Sequence, residues 1–176
     1  MTTFTLDALR ELLRHMEWAD AAVWRAALAH PPAAQDSRLR DLLLHLHGVQ
    51  RAFLGMWTST PTPFAKADEF ADLAAVQTWS HPYYAELAAF LGTVDAATLD
   101  RTIDMPWLAQ FEQRTGRSFV RPTLAETMFQ VTSHSTYHRG QVNARLREVG
   151  GEPPLVDYIA WIWFGKPDPE WVGAQI

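Results

Sequence analysis

The segment that most constrains this chain lies between Pro122 and Gly150-Gly151. It opens on Thr123-Leu-Ala-Glu126, a capping box in which a hydroxyl and a carboxylate three residues apart each accept from the other's backbone N–H. It closes on a double glycine, a strong C-terminal stop, with Pro153-Pro154 beyond. These marks predict one long helix, and a helix of that length draws most of its stability from packing a face against other helices.

The rest of the sequence supplies candidates for those helices. Leu9, Leu12, Leu13, Met16, Ala19, Val23, Ala26 and Ala27 recur at helical spacing, which predicts a first helix from a Thr5 cap to about His30, stopped by Pro31-Pro32. Asp36 or Ser37 caps a second, from Arg38 to about Trp57. Thr58 to Pro63 is a loop by composition. A third helical region spans roughly Asp68 to Gly92, split by Pro82, with Ser80 a candidate cap for the restart. Residues 95–122 predict an extended excursion turning at Gly116, in the manner of a small hairpin. A short aromatic helix from Asp157 to about Phe164 ends the folded part. The expected fold is all-α: a four-helix bundle with a short extended excursion and a short C-terminal aromatic helix, in one domain over residues 1–176.

Composition removes several classes of function. Net charge is −5, whereas a nucleic-acid binder needs a broad basic face. Arg114, Arg117, Arg121, Arg139, Arg145 and Arg147 form a smaller cluster, either a solvated face or a collar for an anionic small molecule. The chain has no cysteine, so disulfides, a thiolate nucleophile and Cys-ligated metals are excluded. The segment Met1-Thr-Thr-Phe-Thr-Leu-Asp7 lacks the features of a signal peptide, and Tyr158 to Phe164 is too short to span a membrane. A cytoplasmic protein is expected.

Inside the long helix, His134 and His138 stand four residues apart, one above the other on one face. Such a pair can reach one metal ion. Bundles build metal sites from side chains on facing helices, so a further ligand is sought on the second helix. His45 shares its side with Leu42, Val49, Phe53 and Met56, the most apolar face of that helix. His47 shares its side with Arg40, Gln50 and Arg51, which places it nearer solvent. Either a metal site or a hydrogen-bonded core histidine fits His45. Three neutral imidazoles suit Zn, Ni, Fe or Cu and leave open coordination positions. Asp20 falls on the apolar face of the first helix and needs a partner there, either a ligand histidine's N–H or an arginine.

Trp18-Ala-Asp20, Leu44-His45-Leu-His-Gly-Val-Gln-Arg-Ala-Phe53, and above all His134-Ser-Thr-Tyr-His138-Arg-Gly-Gln141 followed by Gly150-Gly-Glu-Pro-Pro154, occur in an order that resembles the DinB/YfiT-like family of metal-dependent four-helix-bundle proteins. The resemblance implies a three-histidine metal site of His45, His134 and His138, with His47 the alternative first ligand. It implies a divalent ion (Zn, Ni or Fe) and a thiol-dependent transferase or a hydrolase acting on a small molecule. A low-molecular-weight thiol would be the co-substrate, since the chain has no cysteine of its own. The alternatives are a non-catalytic metal-binding stress-response protein and, more weakly, a DNA-associated factor. Tyr137 is expected to pack, and Arg139 and Gln141 to bond backbone or touch substrate. Trp107, Phe111, Trp161, Trp163 and Phe164 are expected to cap the bundle, to wall the site, or to form part of a homodimer surface. The loop at Pro61–Pro63 and the excursion are where substrate choice would be encoded.

Overall fold

The computed structural model describes residues 4–60 and 62–173; Pro61 and the first three residues lie outside them. In chain order the helices are α1 (Leu6–Ala29), the single turn α2 (Pro31–Ala34), α3 (Ser37–Trp57), α4 (Leu73–Ser80), α5 (Pro82–Thr93), α6 (Leu108–Thr115), α7 (Leu124–Glu148) and α8 (Tyr158–Trp163). Helix α7 packs on both α1 and α3, and α4 with α5 in tandem fills the fourth position of the bundle. The described residues contain no strand, only one isolated bridge between Thr102 and Thr123.

The helix starts follow the caps. Thr5 Oγ1 accepts from the Ala8 N–H, and Asp36 Oδ1 from the Leu39 N–H at 2.7 Å. At α7, Thr123 and Glu126 bond reciprocally as the capping box requires. Asp36 also receives Arg145 through both carboxylate oxygens, at 3.0 and 2.6 Å, so one side chain starts α3 and pins the last turn of α7.

Two expectations need correction. Ser80 does not cap α5: it is the last residue of α4, and its hydroxyl donates to the Gln77 carbonyl. His81 keeps helical angles (φ −58°, ψ −42°), so Pro82 interrupts the hydrogen bonds while the chain keeps its direction. The excursion is not a hairpin. Leu108–Thr115 forms helix α6, ended by Gly116 in the left-handed region at φ 66°. Its extended part is confined to the base, where Ile103 N–H donates to Pro122 and Leu124 N–H to Arg101, closing the segment on itself.

The core has two main apolar clusters with a polar layer between them, and a small third one of Trp18, Ala19 and Trp161. One cluster joins Leu9, Leu13 and Met16 of α1 to Phe53 and Trp57 of α3, Leu87 of α5, and Met128 and Val131 of α7. The other joins Val23, Trp24 and Ala27 to Leu39 and Leu43, Val76, and Val142 and Leu146. Burying each large side chain contributes about 1.5–3 kcal/mol. Between them lie Asp20, His47, Gln50, Ser135 and Arg139, all buried. Asp20 accepts from Arg139, from the Tyr84 hydroxyl at 2.6 Å and from Gln50 Nε2 at 2.8 Å. Arg139 therefore sits inside the bundle, where it also donates to the Met16 carbonyl at 3.5 Å, and is not free to meet substrate. Burial and the neighbouring Asp20 push the Tyr84 hydroxyl well above its ordinary pKa, which keeps it a donor.

The layer separates two kinds of arginine. Arg139→Met strands a buried carboxylate and should lower the unfolding free energy by about 3–5 kcal/mol in urea titration. Arg121, paired with Glu112 at the surface, should cost less than about 1 kcal/mol when changed to Met. Equal losses would mean that the Asp20 pair does not hold the bundle.

Candidate metal centre

His45 comes from the middle of α3, and His134 and His138 from successive turns of α7 facing it. The ring centroids are 5.3 Å apart for His45–His134, 4.5 Å for His45–His138 and 4.2 Å for His134–His138. One nitrogen from each ring lies within 4.8 Å of the other two. Three imidazole nitrogens on a tetrahedral zinc stand about 3.3 Å apart, from a metal–nitrogen bond of about 2.0–2.1 Å. His45 is exposed and the other two half-buried.

The donor set is chemically ready for a cation. Burial, then the neighbouring His138 and His45, push the His134 pKa down to about 4, and burial and His138 lower that of His45. Both rings are neutral at neutral pH, the form that binds metal. His138 Nδ1–H donates to Gln141 Oε1 at 2.7 Å, which leaves Nε2 as its lone-pair atom. This outer hydrogen bond is the kind that fixes the tautomer and orientation of a ligating histidine. His134 Nδ1 is buried with no hydrogen-bond partner, so the protein alone leaves that ring incompletely satisfied. The residues present therefore fit a divalent ion. Tyr137, expected to pack, is 66% exposed and stands edge-on to His138, with ring centroids 5.0 Å apart.

His47 is excluded from this cluster by its hydrogen bonds. It is 1% exposed, the reverse of the expected placement. The Trp24 indole N–H, which can only donate, reaches His47 Nε2 at 2.8 Å. His47 Nδ1–H in turn donates to Gln50 Oε1 at 2.7 Å. Gln50 must point its oxygen that way because its Nε2 donates to Asp20 and to Ser135. Both His47 nitrogens are thus used, and burial lowers its pKa and keeps it neutral. Asp20, expected as a possible acceptor for a ligand histidine, reaches only His47, through Gln50.

The surroundings also differ from expectation. Arg139 is buried against Asp20, Arg145 pairs with Asp36 and Glu148, Arg121 pairs with Glu112, and Arg114 lies over Phe111. The arginines form no collar around the triad. Trp107 stands edge-to-face on Phe53 at 6.1 Å, close to the site, whereas Trp161 is buried against α1. A cleft of about 850 Å³ lies behind α7 along Thr132, Thr136 and Asn143 and contains none of the three histidines. A cleft of about 500 Å³ beside His134 and a recess of about 230 Å³ beside His45 border the triad instead.

A helical bundle with an imidazole triad between two facing helices defines a class of protein in which a divalent ion can be held with coordination positions to spare. The comparison with protein families agrees: the model of the DinB family matches residues 1–169, and the chain belongs to that family. No curated protein matches the sequence.

The two α3 histidines should separate cleanly in stability. In metal-free protein His47→Ala strands the Trp24 N–H and the Gln50 oxygen and should cost about 1–3 kcal/mol. His45→Ala at the exposed position should change stability by less than about 0.5 kcal/mol. Thermal unfolding of both variants checks this, and the opposite ranking would refute the hydrogen-bond assignment.

Proposed function

We propose that the chain is a divalent-metal-dependent enzyme acting on a small molecule, with His45, His134 and His138 as ligands, and that it is a thiol-dependent transferase in preference to a hydrolase. The observation that carries the metal part is the convergence of three ring nitrogens within 4.8 Å. The preference for transfer rests on the two separate recesses. His45 borders one with Asp41, Leu44 and Phe64, and His134 borders the other with Val49, Phe53 and Trp107. A transfer needs room for two organic substrates, whereas hydrolysis needs room for one and a water.

A bound divalent ion supplies Lewis acidity there, able to hold a sulfur as thiolate or to polarise a carbonyl. The chain's own residues do the rest. Gln141 fixes the His138 ring. The atoms packed around His134 and His45, with the neighbouring His138, keep both rings unprotonated. Phe64, packed over Gly48 (where an added Cβ would stand 3.2 Å from the ring), walls the His45 recess. The chain contains no cysteine, so a transferred thiol must come from a co-substrate.

The remaining parts of the reading have support of different kinds. No helix among the described residues is long and apolar enough to cross a membrane. Leu155, Ile159, Trp163 and Phe164 are exposed apolar side chains near the C-terminus, and they support a homodimer.

Untagged protein should hold about one metal ion per chain by elemental analysis. His45→Ala and His138→Ala should lose it and His47→Ala should keep it. Turnover in a screen of electrophiles with low-molecular-weight thiols should stop with a chelator and return with metal. Stoichiometric metal without turnover would favour the non-catalytic binder, and metal retained by His138→Ala would overturn the site.

A further inference from the structure

The triad stands at one end of two facing ladders of side chains. On α7, Glu126, Gln130, His134 and His138 recur every four residues along one side, and on α3, His45, Val49 and Phe53 do the same. The shared apolar clusters pair Phe53 with Met128 and Leu43 with Val142, so α3 and α7 run antiparallel. His45 therefore faces the late histidines, and Val49 and Phe53 line one groove with Gln130 and Glu126. The groove between the ladders is the cleft of about 500 Å³, roofed by Met105 and Trp107 from the segment before α6.

The walls of this groove state what it can hold. Phe53, Trp107, Met105 and Val49 make one side apolar, with the Trp107 and Phe53 rings edge-to-face. Thr127 is committed, accepting from the Trp57 N–H and donating to the Leu124 carbonyl. Glu126 is held below its usual pKa by the Thr123 backbone N–H and hydroxyl, so the far end carries a fixed negative charge. No lysine or arginine is among the described residues that line the cleft. An anionic substrate body would meet a carboxylate and no cation. Eight helical residues rise about 12 Å, so the groove from His134 to Glu126 has room for an aromatic ring beside the histidines.

We propose that the groove selects the substrate of the triad by its body: uncharged and apolar, lying against Phe53 and Trp107 with its reactive end at the histidines. The proposal rests on the metal-centre reading above. Trp107 is then a specificity-determining residue supplied by the segment between α5 and α7, and the metal ligands set the chemistry without choosing the substrate.

Three hydroxamates share one metal-chelating head and differ in body, and they test this by calorimetric titration of zinc-loaded protein. Benzohydroxamate should bind at least about tenfold more tightly than acetohydroxamate, the increment expected of a modest apolar pocket. Placing a carboxylate para to the head of benzohydroxamate should remove that advantage. Trp107→Ala should bring benzohydroxamate down to the acetohydroxamate level while leaving acetohydroxamate and the zinc content unchanged. Equal binding of the first two to zinc-loaded protein, an unaffected Trp107→Ala variant, or retained affinity for the carboxylated compound would each overturn the groove while leaving the metal centre intact. Protein that takes up no zinc would instead overturn the metal centre, and the groove's role with it.

Discussion

The bundle depends on one buried carboxylate. Asp20 is 2% exposed, and an ionised group there is tolerable only if donors surround it. Arg139, Tyr84 and Gln50 provide them from three other helices. The resulting chain has a fixed sense. The carboxylate can only accept, so Gln50 presents its amide nitrogen to Asp20 and its oxygen to His47. The Trp24 indole can only donate, so His47 presents Nε2 to it. Neither the glutamine flip nor the histidine tautomer is free to vary. The two apolar clusters on either side could exchange partners with little change of chemistry, because leucine against leucine sets no height. The polar layer does set it. A shift of α7 by one residue along α3 would separate Ser135 and Arg139 from Gln50 and Asp20. Each broken bond would leave a buried polar atom alone, at about 1–3 kcal/mol apiece.

That register also carries the histidine triad. Ser135 and Arg139 belong to the layer, and each directly follows a triad histidine, His134 and His138, on α7. His45 and His47 are related in a similar way on α3, two residues and about 200° apart. The same stretch of each helix therefore turns one side to the interior, where hydrogen bonds are complete, and another to the groove, where His134 Nδ1 lacks a partner. A layer that is fully satisfied positions a cluster that is not, and an unsatisfied cluster of neutral nitrogens is what a cation can use.

Much of this was legible in the sequence where the signal is local. The Thr5 cap, the Thr123–Glu126 box and the Gly150-Gly151 stop depend on residues a few positions apart, and the helices begin and end close to them. The helix α6 was not legible: it is one of the shorter helices and has no side-chain cap, while the Gly116 that ends it also marks turns. His45 was picked out by an argument whose premise fails. Its apolar neighbours Leu42, Val49 and Met56 suggested burial, yet they are themselves only partly buried and His45 is exposed. Arg40, Gln50 and Arg51 suggested solvent beside His47. Gln50 is instead wholly buried, and the Arg51 guanidinium lies over Trp79 and donates to its carbonyl. Polar side chains are buried when a partner meets them, and here Asp20 and Trp24 come from another helix. No pattern within α3 could report that.

The exposed placement of His45 is also the arrangement that coordination chemistry favours. A histidine buried as deeply as His47 must find partners for both ring nitrogens within the protein, and having found them it has nothing left to offer. A ligand needs one nitrogen without a protein partner, which costs little only where water can occupy it before the metal arrives. The atoms packed around the rings and the neighbouring histidines also lower the ring pKa of His134 and His45, so a proton competes less for the same lone pair. The rim of a groove meets both requirements at once. It follows that within α3 the histidine deepest in the core is the one least able to hold a metal, and that the search for ligands in such bundles belongs at the edges of the helix seams.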